Sequence, residues 1–188
     1  CEEGDLEGVR YILEMGGQVN QRAGENRVGR GTALMTAAHN NHAPVVKLLL
    51  EQPGIDVNMT TENSDPDDGY GLTALHFASV NSVESLRLLL AHPTLACLNA
   101  RDSNVSTPLM MAVMHASFQC VELLLEQPNI DINISITDND SLTALHLALG
   151  DHDNVEVLKL LLAQPSLTCL NARDSYGCTP LMLAVSYG

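Results

Sequence analysis

Short apolar runs come in pairs along the whole chain. The first run of each pair begins with Thr and carries Leu two residues later and Ala five residues later. Leu and Ala at this spacing lie on one face of a helix, so each phrase predicts a short amphipathic helix. The phrases are TALMTAA from Thr32, TALHFAS from Thr73, TPLMMAV from Thr107, TALHLAL from Thr143 and TPLMLAV from Thr179, with successive threonines 41, 34, 36 and 36 residues apart.

The second run of each pair is almost continuously apolar, which predicts a helix that must be covered on several sides. A proline three residues after the last Leu is expected to end this helix. Thr is suited to cap the first helix through its hydroxyl, and Pro108 and Pro180 suit the first helical position, where no backbone N–H is needed. The second runs end at Leu50, Leu90, Leu125 and Leu162, and the prolines that follow are Pro53, Pro93, Pro128 and Pro165.

A helix pair of this size cannot bury its own apolar surface, so the pairs must stack and share their stability. The TALH-x-A and TPLM-x-A phrases resemble the signature of the ankyrin repeat family. The resemblance runs through the whole chain and implies an all-α ankyrin-repeat solenoid of stacked helix-turn-helix units with projecting β-hairpin fingers. We expect a single domain, 1–188, made of a partial unit at 1–31, full units at about 32–72, 73–106, 107–142 and 143–178, and a partial unit at 179–188.

Several positions depart from the family pattern. Met35, Met110 and Met182 stand where the family usually has His, whereas His76 and His146 keep it. The resemblance implies that this imidazole ties adjacent units together by hydrogen bonds and has no catalytic role.

The turn between paired helices also departs from the pattern. The family favours Gly there, as a left-handed helix stop. Asn41 fits that role, and Ser82 and Ala116 do not. Cys97 and Cys169 occupy equivalent places before a closing Leu-Asn, which predicts a shared packing role.

The charge balance bears on the kind of partner. The formal net charge is −14, from 23 acidic and 9 basic residues, which disfavours nucleic acid as a partner. A basic protein or peptide is the better electrostatic match, although excess acid also serves simply to keep a chain in solution. Five cysteines without a CxxC pair favour reduced thiols and an intracellular protein, cytoplasmic or nuclear. No membrane span or signal peptide is visible, so no membrane association is expected, and we expect the chain by itself to be monomeric.

The loops between repeats differ in length. From the closing Asn to the next Thr takes 8 residues after Asn99 and Asn171, but 12 after Asn20, 15 after Asn58 and 10 after Asn133. The resemblance implies that such fingers, together with the first-helix face, grip a partner; tolerated surface insertion is the alternative. By position, the candidate contact residues are Arg27, Arg30, His39, Asn40, Asp67, Asp68, Tyr70, Val80, Asn81, Ser103, Asn104, Met114, His115, Asn139, Asp140, Asp151, Ser175 and Tyr176, with Ser186 and Tyr187 at the last face.

Charge is also distributed unevenly over the fingers. The first long finger carries Arg22, Arg27 and Arg30, and the second is acidic, which predicts a surface that runs from a basic end to an acidic one. A partner with charges in the opposite order would be oriented by such a surface.

No motif in the sequence indicates enzyme chemistry, so we expect no catalysis and no cofactor. The chain contains no glycine-rich phosphate loop, GxSxG or HExxH motif. Asp151-His152-Asp153 lacks a second cluster that would complete a zinc site, and the segment from Asn63 lacks the Gly and Glu of a calcium loop. The resemblance further implies that Asn58 and Asn133 are candidate sites of asparaginyl hydroxylation, although fixing the hairpin backbone is the preferred interpretation of both.

The sequence therefore predicts a non-catalytic protein-interaction module. Two alternatives stay open: a regulatory or docking segment of a larger enzyme, such as a kinase, nuclease or ubiquitin ligase, and a small-ligand sensor. Partner capture would distinguish them from a purely structural spacer.

Overall fold

A computed structural model describes residues 2–22, 30–62, 71–136, 141–150 and 154–187. Within these ranges the chain is helical, has no named strand, and shows isolated β-bridges only at the finger bases. The helices are α1 (Glu2–Glu14), α2 (Ala33–His39), α3 (Ala43–Leu50), α4 (Ala74–Asn81), α5 (Val83–Leu90), α6 (Pro108–Met114), α7 (Phe118–Leu125), α8 (Ala144–Leu149), α9 (Val155–Leu162), a 3-10 turn (Cys169–Asn171) and α10 (Pro180–Tyr187).

The first helix of each pair begins at the repeated Thr, as predicted. The hydroxyl of Thr32 accepts the backbone N–H of Met35 at 3.4 Å, which satisfies one of the open donors of α2. In return the sulfur of Met35 accepts the N–H of Thr32 at 3.4 Å. In α4 the Nδ1 atom of His76 accepts the N–H of Thr73 at 3.1 Å. Met35 and His76 therefore make the same capping contact at this position.

The residue contacts divide the chain into two compact units. The first unit is Cys1–Ala78 with Ser82–Cys97, and the second is Ser79–Asn81 with Leu98–Gly188. In the first unit α2 packs on α3, and α3 packs on both α1 and α5. In the second unit α6 packs on α7 and α8, α9 packs on α7 and α8, and α10 packs on α8 and the 3-10 turn. Each unit is thus a stack of helix pairs.

The core of each unit follows the predicted apolar runs. The middle Leu of the second helix is fully buried in every complete pair: Leu49, Leu89, Leu124 and Leu161 are at most 1% exposed. The Ala of the first helix is buried beside it, at 4% exposure or less for Ala37, Ala78, Ala112 and Ala148. Small Ala at this place lets neighbouring helices approach closely, as the sequence indicated.

The closing Asn of a repeat holds the next repeat in place, as Asn58 and Asn133 show. Asn58 donates from Nδ2 to the carbonyl of Thr94 at 2.8 Å and accepts at Oδ1 from the N–H groups of Ala96 and Cys97, at 2.7 and 3.1 Å. In the second unit Asn133 bonds Ser166, Thr168 and Cys169 in the same way. We call these contacts the asparagine clamp; they cross from one helix pair to the next, whereas the sequence favoured a role within one hairpin.

A second set of bonds joins neighbouring pairs at the start of the second helices. The Ser82 hydroxyl donates to the carbonyl of Ala38 at 2.9 Å, within the first unit. In the second unit the Nδ2 atom of Asn154 donates to the carbonyl of Val113 at 3.0 Å, and Ser117 donates to the carbonyl of Val80. The same side-chain hydrogen bond to the preceding helix pair is thus made by Ser at two places and by Asn at a third.

The helix stops differ in one respect from the sequence-based expectation. Asn41 has a φ of 57°, as predicted, but Ala116 also turns left-handed, with a φ of 51°. Ser82, with a φ of −121°, does not. The interpretation of Ala116 was therefore wrong: the turn geometry is kept although the side chain does not favour it.

No helix in the described part of the chain is long and apolar enough to cross a bilayer.

Candidate protein-binding face

The two short fingers, both in the second unit, are built around a buried or half-buried aspartate. The Oδ1 atom of Asp102 accepts the N–H groups of Asn104 and Ser106 at 3.0 and 2.8 Å. In the last finger Asp174, 9% exposed, accepts the N–H groups of Tyr176 and Cys178 at 3.0 and 2.8 Å. One carboxylate thus fixes each turn from inside, and the tip residues project from a defined backbone.

The tips of the short fingers lie where the sequence placed them. Tyr176 is 88% exposed, and Asn104, its counterpart, is exposed as well. Ser175 is exposed and Ser103 is half-buried. A large aromatic side chain held in water by an ordered turn is available for contact at low entropy cost.

The residue after each tip has a left-handed backbone. Val105 has a φ of 62°, and its counterpart Gly177 has a φ of 76°. A β-branched residue rarely adopts this conformation, whereas Gly does so freely. The finger of Asp102 therefore holds strain that the finger of Asp174 lacks.

A reciprocal exchange measures that strain. Val105→Gly is expected to raise the free energy of unfolding by about 1 kcal/mol, because relief of the left-handed strain exceeds the added chain entropy of Gly. Gly177→Val is expected to lower it by about 1–2 kcal/mol, since the site has room for a side chain but not the right backbone. Urea unfolding followed by circular dichroism checks both, and shifts of the same sign would contradict the assignment.

The long fingers are described only at their bases. The second one closes through the N–H of Thr61 to the carbonyl of Leu72 at 2.8 Å, and the third through Ile136 to Leu142, also at 2.8 Å. These bases match the predicted hairpins. Seven predicted contact residues lie outside the described residues: Arg27, Asp67, Asp68, Tyr70, Asn139, Asp140 and Asp151.

The bases of the first two fingers join in the first unit. The N–H of Arg30 donates to the carbonyl of Glu62 at 3.3 Å, and the guanidinium of Arg22 lies 3.2 Å from the Glu62 carboxylate. Arg22 also donates to the carbonyls of Arg30 and Thr60. Opposite charges meet at this point, so Arg22 and Glu62 largely offset each other and contribute little to the predicted gradient from basic to acidic.

On the first-helix face of the first unit, His39 and Asn40 are exposed, as predicted. The imidazole of His39 meets the ring of Phe77 edge to face, with centroids 5.5 Å apart. Asn40 donates from Nδ2 to the carbonyl of Thr36 at 3.0 Å, which ends α2. Asn40 therefore has a capping role besides its position on the face.

On the corresponding face of the second unit, Met114 is 42% exposed and His115 and Ser186 are exposed. Asn81 is exposed too, whereas Val80 is half-buried. These side chains follow the buried Ala positions along the chain, and their contact with a partner stays a prediction.

Sequence reasoning missed one row of this face. The residue before the repeated Ala is half-buried on every first helix and presents part of its side chain to solvent. A helical wheel through the five phrases would have found it. The row consists of Thr36 and Phe77 in the first unit and Met111, Leu147 and Leu183 in the second.

Cys97 and Cys169 have packing roles, and His146 has a capping role. Cys97 and Cys169 are 7% and 8% exposed, which confirms their predicted burial. Burial raises the pKa of the Cys97 thiol, so it stays protonated and unreactive. The Nδ1 atom of His146 accepts the N–H of Thr143 at 3.2 Å. Its buried Nε2 atom has no hydrogen-bond partner among the described residues, so within them His146 does not tie units together as predicted.

Among the residues described, no cluster of three or more His, Cys, Asp or Glu side chains is placed to hold a metal ion. The hydroxylation of Asn58 and Asn133 stays a prediction, which mass spectrometry of protein purified from cells would check at both residues.

Comparison with known proteins supplies the family. The model described as ankyrin repeats (3 copies) matches residues 1–61, 59–136 and 130–188. Similar chains include the human SMC5-SMC6 complex localization factor protein 1, 38% identical over 62% of this chain and 11% of its own length. The human transient receptor potential cation channel subfamily A member 1 is 30% identical over 86% of this chain and 14% of its own. The probable palmitoyltransferase AKR2 of Saccharomyces uvarum is 32% identical over 82% of this chain and 20% of its own length.

This chain thus spans a fifth or less of the length of these three relatives. The helix pairs, the Thr caps and the full-length family match agree, and the chain belongs to the ankyrin repeat family.

Proposed function

We propose that the chain is a non-catalytic module that binds a protein partner through its finger tips and first-helix face. The observation that carries this proposal is Tyr176, which is 88% exposed at the tip of a turn fixed by Asp174. Tyrosine is among the residues that dominate binding energy at protein interfaces, and a fixed backbone reduces the entropy cost of ordering it.

The strain at Val105 supports the same surface. A left-handed β-branched residue persists only where its surroundings hold it, and such residues cluster at ligand contacts. In this finger the two hydrogen bonds that Asp102 accepts from backbone N–H groups fix the turn around Val105. The tip with Asn104 is thus the second candidate contact of the second unit.

The charge of the chain favours a basic partner. With a formal net charge of −14, the chain attracts cationic surfaces and repels polyphosphate. Electrostatic attraction of this kind speeds association and weakens as salt is added. We therefore infer a basic protein or peptide segment as the partner class, and no nucleic acid.

Capture experiments test the proposal with a matched variant. Immobilised chain is exposed to cell extract, and partners are quantified by mass spectrometry for wild type, Tyr176→Ala and Tyr11→Ala. Tyr11 is 64% exposed on α1, in the first unit, and is not one of the predicted contact residues. We expect Tyr176→Ala to reduce capture of a specific partner at least tenfold, an effect of more than about 1.4 kcal/mol, and Tyr11→Ala to leave it unchanged.

Salt dependence provides the second readout. The captured partner should bind less tightly as ionic strength rises, because its charges are opposite to those of the chain. Equal capture by wild type and Tyr176→Ala would exclude this face as the site, and capture that strengthens with salt would exclude a basic partner.

The alternative of a docking segment in a larger enzyme is supported by the relatives. One similar protein is named as a palmitoyltransferase and another as a cation channel, and the match covers only a small part of each. Because ankyrin repeats recur beside such different activities, the repeats do not themselves define the activity of a whole protein. The binding role proposed here applies in either case.

We infer an intracellular location from the cysteines. Cys97, Cys120, Cys169 and Cys178 are free thiols in the structure, and free thiols are typical of reducing compartments.

A further inference from the structure

The first two fingers, both in the first unit, are joined at their bases. We call residues 21–22 with 30–32 the first base, and residues 60–62 with 71–73 the second base. One β-bridge closes each base and a third links the two bases, so four short segments lie side by side in antiparallel order. Among the described residues of the second unit, no such bridge links one finger to another. The pairing of the two bases therefore has a local cause.

The side chain of Arg22 contacts both bases. Its guanidinium donates to the carbonyl of Arg30 at 3.4 Å and to that of Thr60. It also lies 3.2 Å from the carboxylate of Glu62. The Arg22 side chain is 25% exposed, so these charge-assisted contacts are partly shielded from water. One side chain thus bonds the return segment of the first base and the outgoing segment of the second.

The planar guanidinium suits three acceptors at once. It carries five N–H donors in a fixed fork, whereas Lys has a single compact ammonium group. The ion pair with Glu62 adds little, because the Glu62 side chain is 63% exposed and surrounded by water. The two carbonyl contacts therefore contribute more to the join than the ion pair does.

The equivalent arginine of the second unit provides the contrast. Arg101 also stands two residues after a closing Asn, at the start of a finger. It is exposed and makes no hydrogen bond or ion pair with the described residues. The finger that follows it closes through its own backbone, from Ile136 to Leu142. The position in the repeat thus does not by itself produce the join that Arg22 makes.

We propose that Arg22 is a latch that makes the two finger bases open and close together. While the latch is closed, the second base cannot leave its place without breaking bonds to the first. If a partner binds through the fingers, ordering one finger then reduces the entropy cost of ordering the other. This consequence rests on the proposed function, whereas the latch is a property of the free chain.

Hydrogen exchange of the free chain, resolved by NMR at single amides, tests the latch. The N–H groups of Gly71 and Leu72 donate to the carbonyl and the hydroxyl of Thr61, at 3.1 and 3.0 Å. Both amides lie on the return segment of the second base, which Arg22 does not contact. We expect Arg22→Ala to quicken exchange at both about tenfold, because loss of a charged donor frees the second base. The amide of Val46, inside α3, is the reference and should keep its rate.

Two further variants separate the latch from charge and from substitution as such. Arg22→Lys keeps the positive charge but not the fork, so exchange at Gly71 and Leu72 should be as fast as in Arg22→Ala. Arg101→Ala removes the equivalent arginine of the second unit and should leave exchange at both amides at the wild-type rate.

Three results would overturn the proposal. Unchanged exchange at Gly71 and Leu72 in Arg22→Ala would show that the second base holds without the first. An equal increase at Val46 would show a general loss of stability instead of a latch. Full rescue by Arg22→Lys would reduce the join to an ion pair. No partner is needed for these measurements, so their outcome is independent of the capture experiment with Tyr176→Ala.

Discussion

Replacing Leu124 with Ala is expected to lower the free energy of unfolding by about 2–5 kcal/mol. Leu124 is the middle Leu of α7 and is 0% exposed. It lies in a helix that packs on both α6 and α9, so the cavity left by Ala has walls from two helix pairs. Neither pair can collapse into it without disturbing the other, which places the effect among the larger core substitutions.

Leu162→Ala is the matched control for this change. Leu162 occupies the last position of α9 and is 49% exposed, so its truncation removes little buried surface. We expect Leu162→Ala to lower the free energy of unfolding by less than about 1 kcal/mol. Urea unfolding followed by far-ultraviolet circular dichroism compares the two, and equal losses would show that the inside and outside of the second helices were assigned wrongly.

The elements of the fold follow from the sequence because their signals are local. Thr, Leu and Ala at fixed spacing define each first helix, and the three leucines followed by Pro define each second one. Whether a given Leu is buried is not a local property. Leu109 and Leu181 occupy the same place in the same phrase, yet one is 2% and the other 72% exposed. Only the helices that cover α6 distinguish them.

The candidate site was predictable to a smaller extent. Tyr176 and Met114 are exposed where repeat position placed them. The ion pair of Arg22 with Glu62 joins residues 40 positions apart, and no periodicity signals it. The contact of His39 with Phe77 likewise depends on two repeats meeting.

The left-handed turn at Val105 has a signal in the sequence. The repeated segment LNARDS aligns Val105 with Gly177, and Gly at such a place commonly marks a left-handed turn. Because the two fingers share this segment, the alignment by itself indicates a positive φ at Val105.

The asparagine clamp leads to the second large effect, at Asn133. Asn133→Ala is expected to lower the free energy of unfolding by about 2–3 kcal/mol, since it removes three hydrogen bonds worth about 1 kcal/mol each. Those bonds hold the carbonyl of Ser166 and the N–H groups of Thr168 and Cys169, at 2.8, 2.8 and 3.2 Å. All three lie in the segment after α9, in the next helix pair.

A graded series separates the clamp from a general effect of substitution. In Asn133→Asp the carboxylate still accepts the two N–H groups but cannot donate to the carbonyl of Ser166. The free energy of unfolding of this variant should therefore lie between that of the wild type and that of Asn133→Ala. Asn129→Ala is the control, because its side chain is exposed and its carbonyl keeps the bond from Asn99. Hydrogen exchange should quicken at the amides of Thr168 and Cys169 in Asn133→Ala alone. If Asn129→Ala and Asn133→Ala unfold alike, this residue does not couple neighbouring repeats, and stacking rests on apolar contacts alone.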